Sequence, residues 1–515
     1  MKPASHDLGR ALAELLERIT GVSDEAVALA ARIVARETAL GQVCVDLGEF
    51  AGRPVDPADP HAPRTPERGP WIDRLERHPA VGRPGDERPL VLDGAGRLYL
   101  HRYWEYERAV AEDVRRRAAA GRIEIVTGGP GTGKTTRVAE ILQDAIDTGT
   151  SRIELAAPTG KAAARVQEAL VQALDRQEVS PSVRAAVPTR AKTLHRLLGA
   201  RLGKARTARG PDSPLDVELL VVDEASMVGL ALLAKTLGAT PPDARVVLLG
   251  DRDQLASVDP GAVFADLCAD GTVLAGAITA LAHSYRFDAA GGIGALAAAV
   301  RERRADAAVA RLREGGDALA WTETASSTDL TAVVERAASA GRPVLCAVRE
   351  GPFGVAAINE RFERRLRRAG ALGRAEGPWY PGRPVMIVRN DPALGLFNGD
   401  LGVVGRDAEG RLRVVFPAEG GGTRAIAPAR LPPHETAYAM TVHKSQGSEF
   451  DRVTVVLPPR PSPAATRELL YTAVTRARLE VEIVATEEAV RAAIATATRR
   501  VSGLRDALAR PHNTT

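Results

Sequence analysis

Apolar and polar positions follow two different periods along this chain, and each change of period marks an element. Between residues 120 and 285, apolar runs at 123–126, 153–157, 219–222 and 246–249 are separated by stretches with helical spacing. Strands that are near-continuous apolar runs and that alternate with helices are typical of a parallel sheet covered on both faces. The pattern therefore predicts an α/β unit in this part of the chain.

A second α/β pattern begins near residue 320, with predicted strands at 344–348 and 453–457. Between these strands the sequence changes to short alternating runs joined by the turn dipeptides Asn398-Gly399 and Glu409-Gly410. We therefore predict a small β-barrel at about 382–432, inserted into the second α/β unit.

The N-terminal part has a different pattern again. Residues 8–40 carry two amphipathic helical patterns, and Asp93-Gly94-Ala95-Gly96 separates two apolar triplets that predict a hairpin. No catalytic constellation appears here, so the expected roles are packing and docking to a partner. The chain accordingly divides into three predicted domains: a small, mostly helical domain at 1–110, a first α/β domain at 111–315 and a second at 316–515.

The overall composition is that of a soluble globular protein and excludes several classes. Hydrophobic residues make up 45% of the 515 positions, and the net charge of +4 is compatible with nucleic acid binding without demanding it. Cys44, Cys268 and Cys346 lie far apart, so neither a disulfide framework nor an iron–sulfur site is expected. No apolar run reaches the ~18 residues of a membrane span, and the N-terminus lacks a signal peptide's apolar stretch. We therefore expect a cytoplasmic protein without a membrane partner.

Lysine is scarce in this chain, which draws attention to the lysines that remain. Of 69 basic residues seven are lysines and 62 are arginines. One of the seven, Lys134, ends a glycine-rich loop between an apolar strand and a helical pattern, and this context argues against a chance match to a phosphate-cradling loop. The residues predicted to bind the nucleotide phosphates are Gly128, Gly129, Pro130, Gly131, Thr132, Gly133, Lys134, Thr135 and Thr136.

Two adjacent carboxylates, Asp223 and Glu224, follow the third apolar strand. Asp223 would hold a Mg²⁺ ion that Thr135 also touches, and Glu224 would orient the attacking water, because phosphoryl transfer depends on positioning and charge neutralisation. The alternative is a capping pair at a strand-to-helix turn. The position at a strand end, where ligands of α/β proteins bind, favours the catalytic interpretation. After the next strand, Gln254 is a candidate sensor of the γ-phosphate.

Three further segments carry polar side chains suited to nucleic acid phosphates. The segment at 157–163 opens a helix with small residues, whose N–H groups suit a phosphate, and the segment at 193–198 repeats this more weakly. A lone histidine is more often structural, but the polar groups at 441–449 are too dense for a core. The residues predicted to contact DNA are Thr159, Lys161, Thr193, His195, Thr441, His443, Lys444 and Ser445.

Among 62 arginines, any single one is most simply a solvated surface group, so position has to decide. Arg286 lies in the segment Ser284-Tyr285-Arg286-Phe287, and Arg476 lies beside the buried stripe of a predicted helix. From there Arg476 would act as an arginine finger in a cleft between domains. The predicted catalytic residues are Lys134, Asp223, Glu224, Gln254, Arg286 and Arg476.

Taken in order, these segments resemble the core motifs of superfamily 1 helicases. They are most similar to the RecD family, the α subunits of bacterial exodeoxyribonuclease V (RecBCD). The likeness rests on the segments at 223–227, 250–258 and 441–450, on Ser284–Phe287, and on Arg97–Leu100 followed by Tyr103-Trp104. It covers nearly the whole chain.

The resemblance implies two RecA-like P-loop motor domains with an SH3-like barrel, which close on ATP and Mg²⁺. It implies 5′-to-3′ translocation along single-stranded DNA from duplex ends, in double-strand break repair and homologous recombination. It further implies a heterotrimer with RecB-like and RecC-like subunits, with the N-terminal domain docking on the γ subunit. No nuclease cluster appears in the sequence, so cutting would belong to a partner.

One departure from the family concerns the approach to the phosphate loop. The family has a longer helical segment there with an adenine-reading glutamine, whereas this chain has no glutamine between Gln42 and Gln143. We therefore predict loose base selectivity or weakened ATP binding. Two alternatives stay open: a free-standing helicase of the same kind, and a nucleotide-binding structural subunit with weak turnover.

Overall fold

The fold consists of four packed units, each with its own core. The computed structural model describes residues 4–56, 59, 61–176, 191–200, 207–286, 291–326, 329–370, 377–391, 393–417 and 422–509.

The N-terminal unit packs helices on a small mixed sheet with strand order β1-β4-β3-β2. Its elements are α1 (Ala4–Thr20), α2 (Glu25–Ala39), β1 (Cys44–Asp46), α3 (Leu47–Phe50), α4 (Arg68–Arg77), β2 (Val81–Gly82), β3 (Leu90–Leu92) and β4 (Arg97–Leu100). Strands β3 and β4 form the predicted antiparallel hairpin. The fully buried Trp71 donates from its indole nitrogen to the carbonyl of Ala26 at 3.0 Å, which ties α4 to α2.

The first α/β unit is a six-stranded parallel sheet with strand order β10-β5-β9-β8-β6-β7. Its strands are β5 (Ile123–Gly128), β6 (Ile153–Ala157), β7 (Lys192–Thr193), β8 (Leu219–Val222), β9 (Arg245–Gly250) and β10 (Ile278–Leu281). Its helices are α5 (His101–Ala119), α6 (Lys134–Asp147), α7 (Gly160–Arg176), α8 (Leu194–Leu197), α9 (Leu230–Ala239) and α10 (Val263–Leu267). All four residues of β8 are buried, as expected for a strand covered on both faces.

The second α/β unit is a five-stranded parallel sheet with strand order β11-β20-β19-β12-β18. Its strands are β11 (Leu319–Thr322), β12 (Val344–Cys346), β18 (Ala439–Thr441), β19 (Phe450–Val456) and β20 (Ala477–Val484). Its helices are α11 (Gly292–Arg301), α12 (Ala305–Glu314), α13 (Leu330–Ser339), α14 (Val355–Arg368), α15 (Arg467–Val474) and α16 (Glu487–Ala495). Leu296 of α11 and Leu312 of α12 belong to the core of this unit, so the boundary predicted at 315 follows two helices that pack against the second sheet.

The insert is an antiparallel sheet with its own small core. Its strands are β13 (Pro384–Ile387), β14 (Leu401–Arg406), β15 (Leu412–Pro417), β16 (Thr423–Ile426) and β17 (His434–Thr436), in the order β16-β15-β14-β13-β17. Phe416, Val385 and Val414 are buried at its centre. Within the part of the chain that the structure describes, the edge strands β16 and β17 do not pair, so the sheet is open.

The C-terminal segment returns from the second α/β unit to the first part of the molecule. Residues 496–503, the C-terminal strap, run along the edge of β1, where the amides of Val43 and Cys44 donate to the carbonyl of Val501 at 3.0 and 3.4 Å. The strap leads into α17 (Leu504–Ala509), whose Leu504 and Leu508 are buried in the core that contains α5. The buried Glu107 of α5 accepts the amide of Gly503 with both carboxylate oxygens, at 2.9 and 3.1 Å.

The coarse fold prediction is confirmed: the protein is α/β with parallel sheets, a helical N-terminal region and an antiparallel insert. None of the helices in the described ranges is long and apolar enough to cross a membrane.

Candidate functional site

The glycine-rich loop connects the end of β5 to the start of α6. Gly131 and Gly133 have positive φ angles of 76° and 86°, a conformation that glycine adopts without the strain of a side chain. A β-carbon at Gly131 would stand 2.3 Å from the β-carbon of Arg286, so the loop also needs glycine for space. The Lys134 ammonium donates to the carbonyls of Gly128 and Gly129 at 2.5 and 2.9 Å. The lysine thus lies across the loop that it is predicted to serve.

The carboxylate pair lies at the end of β8, beside this loop. The Glu224 amide donates to the Asp223 carboxylate at 2.8 Å, and Glu224 has a positive φ of 52°, which is rare for a residue with a side chain. Such strain persists where the surroundings impose it, often at functional sites. Burial and the neighbouring charge of Glu224 raise the pKa of Asp223, and the charge of Lys134 opposes that shift.

Gln254 lies in the loop after β9 and is fixed by its own neighbourhood. Its side-chain amide donates to Asp251 at 3.0 Å. The hydroxyl of Tyr471, from α15 of the second unit, donates to the same carboxylate oxygen at 3.1 Å. The loop that carries Gln254 is therefore in direct contact with the second α/β unit.

The two predicted arginines approach the loop from different units. Arg286 follows β10 and donates to Glu449 at 2.7 Å. Arg476 follows α15, is almost fully buried, and donates to the carbonyls of Thr472 and Ser448 at 3.2 Å each. Burial lowers the pKa of Arg476.

A cavity of about 680 Å³ brings these groups together between the two units. The predicted residues that line it are Pro130, Gly131, Thr132, Gly133, Lys134, Thr135, Thr136, Asp223, Glu224, Gln254, Arg286 and Arg476. Gly128 and Gly129 do not line it but hold the ammonium of Lys134. A cavity of this size, with cationic and carboxylate groups around a loop of backbone amides, suits a nucleoside triphosphate.

The donor set fits a magnesium ion bound together with phosphates. Thr135 and Asp223 line the same cavity and offer a hydroxyl and a carboxylate oxygen, which are hard ligands. Among the described residues no three His, Cys, Asp or Glu side chains cluster as a metal cage. Magnesium does not require one, because it keeps several waters and takes one or two carboxylates plus substrate oxygens.

Three of the residues predicted to contact DNA share one local role. The hydroxyls of Thr159, Thr193 and Thr441 accept the amides of Ala162, Arg196 and Lys444 at 3.2, 3.2 and 3.3 Å, so each threonine caps the turn that follows a strand. The first amides of such a turn point back toward its N-terminus, at the end of the strand, where an anion can bind.

The two lysines of these segments are paired within the protein. Lys161 donates to the Ser448 hydroxyl at 2.7 Å, and burial lowers its pKa to about 8. Lys444 forms an ion pair with Glu435 at 2.6 Å and remains partly exposed.

The histidines and the serine differ in exposure. His195 is exposed on α8, whereas His443 is largely enclosed, and burial followed by the charge of Arg500 lowers its pKa. Ser445 is fully buried and donates to the carbonyl of Val442 at 2.7 Å. Its side chain has no surface for DNA in this arrangement.

Sequence reasoning did not single out Arg165, Glu449 or Tyr471. Arg165 lines the cavity, donates to the carbonyl of Gly447 at 2.9 Å and pairs with Glu449 at 2.8 Å. Its spacing of four residues from Lys161 places both on one face of α7, a signal that the sequence contained. Glu449 and Tyr471 lay within segments already identified, but their partners come from the other unit.

Models of three known domains match successive parts of the chain. A model of the RecBCD enzyme subunit RecD N-terminal domain matches residues 5–99, an AAA domain model matches 111–260, and a UvrD-like helicase C-terminal domain model matches 436–484.

Full-length relatives extend this similarity. The RecBCD enzyme subunit RecD of Mycolicibacterium smegmatis is 40% identical in an alignment of 565 positions that covers 97% of this chain and 98% of that protein. The "ATP-dependent RecD2 DNA helicase" of Deinococcus radiodurans is 34% identical, covering 70% of this chain and 46% of that protein. Among solved structures, Bacteroides Pif1 bound to single-stranded DNA covers 79% of this chain with a TM-score of 0.40 and 19% identity.

Proposed function

Because the chain belongs to the RecD family of RecBCD subunits, we propose that it is an ATP-driven DNA motor of such a complex. The cavity described above is its proposed ATPase site. The family consists of helicases that act in DNA recombination and repair. The observation that carries the proposal is that Lys134, Asp223 and Glu224 of the first α/β unit share one cavity with Arg476 of the second. ATP hydrolysis in this cavity would therefore change the contacts of both units with the nucleotide.

Each predicted residue has a defined role in this proposed ATPase site. Lys134 and the amides of the loop would bind the β- and γ-phosphates, and Thr135 and Asp223 would hold Mg²⁺, which would neutralise phosphate charge. Glu224 orients the attacking water, and Gln254 contacts the γ-phosphate or that water. Arg286 and Arg476 stabilise the charge that develops on the transferred phosphoryl group.

The DNA strand is proposed to run over the capped turns of the two parallel sheets. Thr159 follows β6 and Thr193 ends β7 of the first sheet, whereas Thr441 ends β18 of the second. A change in the distance between the units would therefore move one set of DNA contacts relative to the other. Lys161, His195, His443 and Lys444 accompany these turns, and the Lys444 side chain remains partly exposed. Ser445 supports the 441–445 turn from inside through its bond to Val442. We propose the 5′-to-3′ direction that the family resemblance implies.

The two parallel sheets are proposed to be RecA-like motor domains, and the insert a relative of SH3-like barrels that is open between β16 and β17. The proposed partners are RecB-like and RecC-like subunits and single-stranded and duplex DNA ends, in the cytoplasm. Matching by a RecD N-terminal domain model at 5–99 supports a docking role for the N-terminal unit.

ATP hydrolysis stimulated by single-stranded DNA tests the motor function. Lys134→Gln should abolish this hydrolysis, because it removes the ammonium charge that would bind the phosphates. Lys235→Gln is the matched control, since Lys235 lies on α9 outside the cavity and its loss should leave the rate unchanged. Equal rates for wild type and Lys134→Gln would reject the motor function and favour a nucleotide-binding structural subunit.

Co-purification with RecB-like and RecC-like chains separates a complex subunit from a free-standing helicase. The nearly complete mutual coverage with a RecBCD subunit, against 46% coverage of the "ATP-dependent RecD2 DNA helicase", supports the subunit. Recovery of a chain that unwinds DNA alone and binds neither partner would favour the free-standing alternative.

A further inference from the structure

Tyr471 belongs to the second α/β unit, yet its hydroxyl ends behind the phosphate loop of the first. The hydroxyl donates to Asp251 at 3.1 Å, and the side chain is buried. A β-carbon at Gly129 would stand only 2.7 Å from the Tyr471 oxygen, so the hydroxyl lies directly against the loop. It does not line the cavity itself. Tyr471 is therefore placed to act on the site through another residue.

Asp251 is the residue through which it can act. One of its carboxylate oxygens accepts both the Tyr471 hydroxyl and the side-chain amide of Gln254, and the other accepts the amide of Asp253 at 3.0 Å. The carboxylate is thus oriented by its own loop on one side and by the second unit on the other. The orientation of Gln254 depends on both.

A second pair of contacts fixes the residue that follows Gln254. The Leu255 amide donates to the Thr472 hydroxyl at 2.9 Å, and its carbonyl accepts the side-chain amide of Gln446 at 2.9 Å. Both partners belong to the second unit. Gln254 is therefore held between two positions, Asp251 and Leu255, that the second unit contacts directly.

The hydroxyl of Tyr471 remains a donor over the working pH range. Burial, together with the charges of Asp251 and Asp253, raises its pKa well above the ordinary value. A buried hydroxyl bonded to a carboxylate is also a stronger contact than one between neutral groups.

We propose that Tyr471 is a positioning residue for ATP hydrolysis: its hydroxyl, supplied by the second unit, fixes the Asp251–Gln254 pair in the orientation that hydrolysis requires. The inference rests on the proposed ATPase function. The role of Tyr471 would make turnover depend on contact between the two units. This dependence is separate from the one through Arg476, which follows α15.

Tyr471→Phe removes only the hydroxyl and should lower kcat for DNA-stimulated ATP hydrolysis about tenfold, the effect of one lost hydrogen bond to a charged group. The KM for ATP should change less than about twofold, because Tyr471 does not line the cavity that would hold the nucleotide. Tyr99→Phe is the matched control: it removes another buried tyrosine hydroxyl, bonded to Glu107 at 3.2 Å, and should leave kcat unchanged.

A double-mutant cycle shows whether Tyr471 acts through Gln254. In a Gln254→Ala background, Tyr471→Phe should cause no further loss, whereas a purely structural role would give losses that multiply. Asp251→Asn provides a second route if Tyr471→Phe does not fold, and it should lower kcat while leaving the KM for ATP in place.

The outcomes distinguish this inference from the function on which it rests. Equal ATP hydrolysis by wild type and Lys134→Gln would overturn both. An active wild type with unchanged kcat in Tyr471→Phe or in Asp251→Asn, or with multiplying losses in the double mutant, would overturn only the positioning role.

Discussion

Glu449 and Arg286 form an ion pair across the cavity, with 2.7 Å between their nearest oxygen and nitrogen atoms. Arg286 follows the last strand of the first parallel sheet, and Glu449 precedes β19 of the second. The same carboxylate oxygen also pairs with Arg165 of α7 at 2.8 Å. Burial opposes ionisation of Glu449, but the charges of Arg165 and Arg286 outweigh it and lower the pKa of the carboxyl to about 2. One carboxylate thus holds two arginines that line the cavity proposed to bind the nucleotide.

Glu449→Gln should tighten nucleotide binding. The change removes a negative charge from the cavity proposed to bind the phosphates and releases two arginines, so we expect the Kd for ATP to fall roughly threefold or more. Titration with a fluorescent nucleotide measures it. Glu140→Gln is the control, since Glu140 also lines the cavity but is half-exposed and paired with Arg137. Equal effects of both changes would contradict a special role for Glu449.

Glu107→Gln should change how stability depends on pH. Burial raises the pKa of Glu107 to about 7, and the Gly503 amide, the Tyr99 hydroxyl and the charge of Arg97 oppose that shift. Because the folded-state pKa lies above the unfolded value, the stability from this group is present below about pH 4.5 and is lost as pH rises through about 7.

Glutamine stays neutral throughout, so the variant should gain on the order of 2 kcal/mol relative to wild type between pH 5 and pH 8. Urea unfolding at several pH values measures the difference. Burial also raises the pKa of Asp266 to about 6, so in both proteins this group makes stability fall as pH rises. Glu112→Gln, an exposed change on the same helix, should show no such trend. A pH-independent difference for Glu107→Gln would rule out this origin.

Leu508→Ala should destabilise the protein through the C-terminal segment. Leu508 is fully buried against the core around α5, and removing a buried leucine costs about 2–5 kcal/mol. Leu479→Ala is the matched control, because Leu479 is 62% exposed and its loss should cost no more than about 0.5 kcal/mol. Urea-unfolding midpoints compare the two, and equal shifts would mean that α17 contributes little.

ATP and GTP should be hydrolysed with similar efficiency. Gln254 is the glutamine that lines the cavity in the described ranges, and it is bound to Asp251 at the phosphate end. A bound purine therefore meets no free side-chain amide there. Such an amide could otherwise tell adenine from guanine by the hydrogen-bond donors and acceptors on the edge of the base. We expect kcat/KM for ATP to exceed that for GTP by less than about tenfold. A strong preference for ATP would contradict this.

Local patterns were sufficient to predict the elements that carry the chemistry. The strands at 153–157 and 219–222 lie where the apolar runs predicted them, because a strand covered on both faces must be largely apolar. The residues that follow such strands are directed to one edge of the sheet, which is why Lys134, Asp223 and Gln254 all reach one cavity.

The contacts between the units could not be predicted from the sequence. Arg165 is one of 62 arginines, and nothing local indicates that its partner is Glu449, almost three hundred positions away. The hydroxyl-rich segment at 441–445 shows the opposite difficulty. Its composition suggested that every polar side chain faces DNA, whereas Ser445 turns inward to Val442, since a tight turn must also satisfy its own carbonyls.

The C-terminal strap has a consequence for the order in which the protein can fold during synthesis. Domains made first generally fold first, yet the outer edge of β1 has its partner in the strap: the Cys44 amide, for example, donates to the carbonyl of Val501, 457 positions later. Until the ribosome has made that segment, β1 presents unpaired amides, and exposed strand edges invite pairing with other chains. The N-terminal unit therefore keeps this strand edge unpaired until more than 450 further residues have been made.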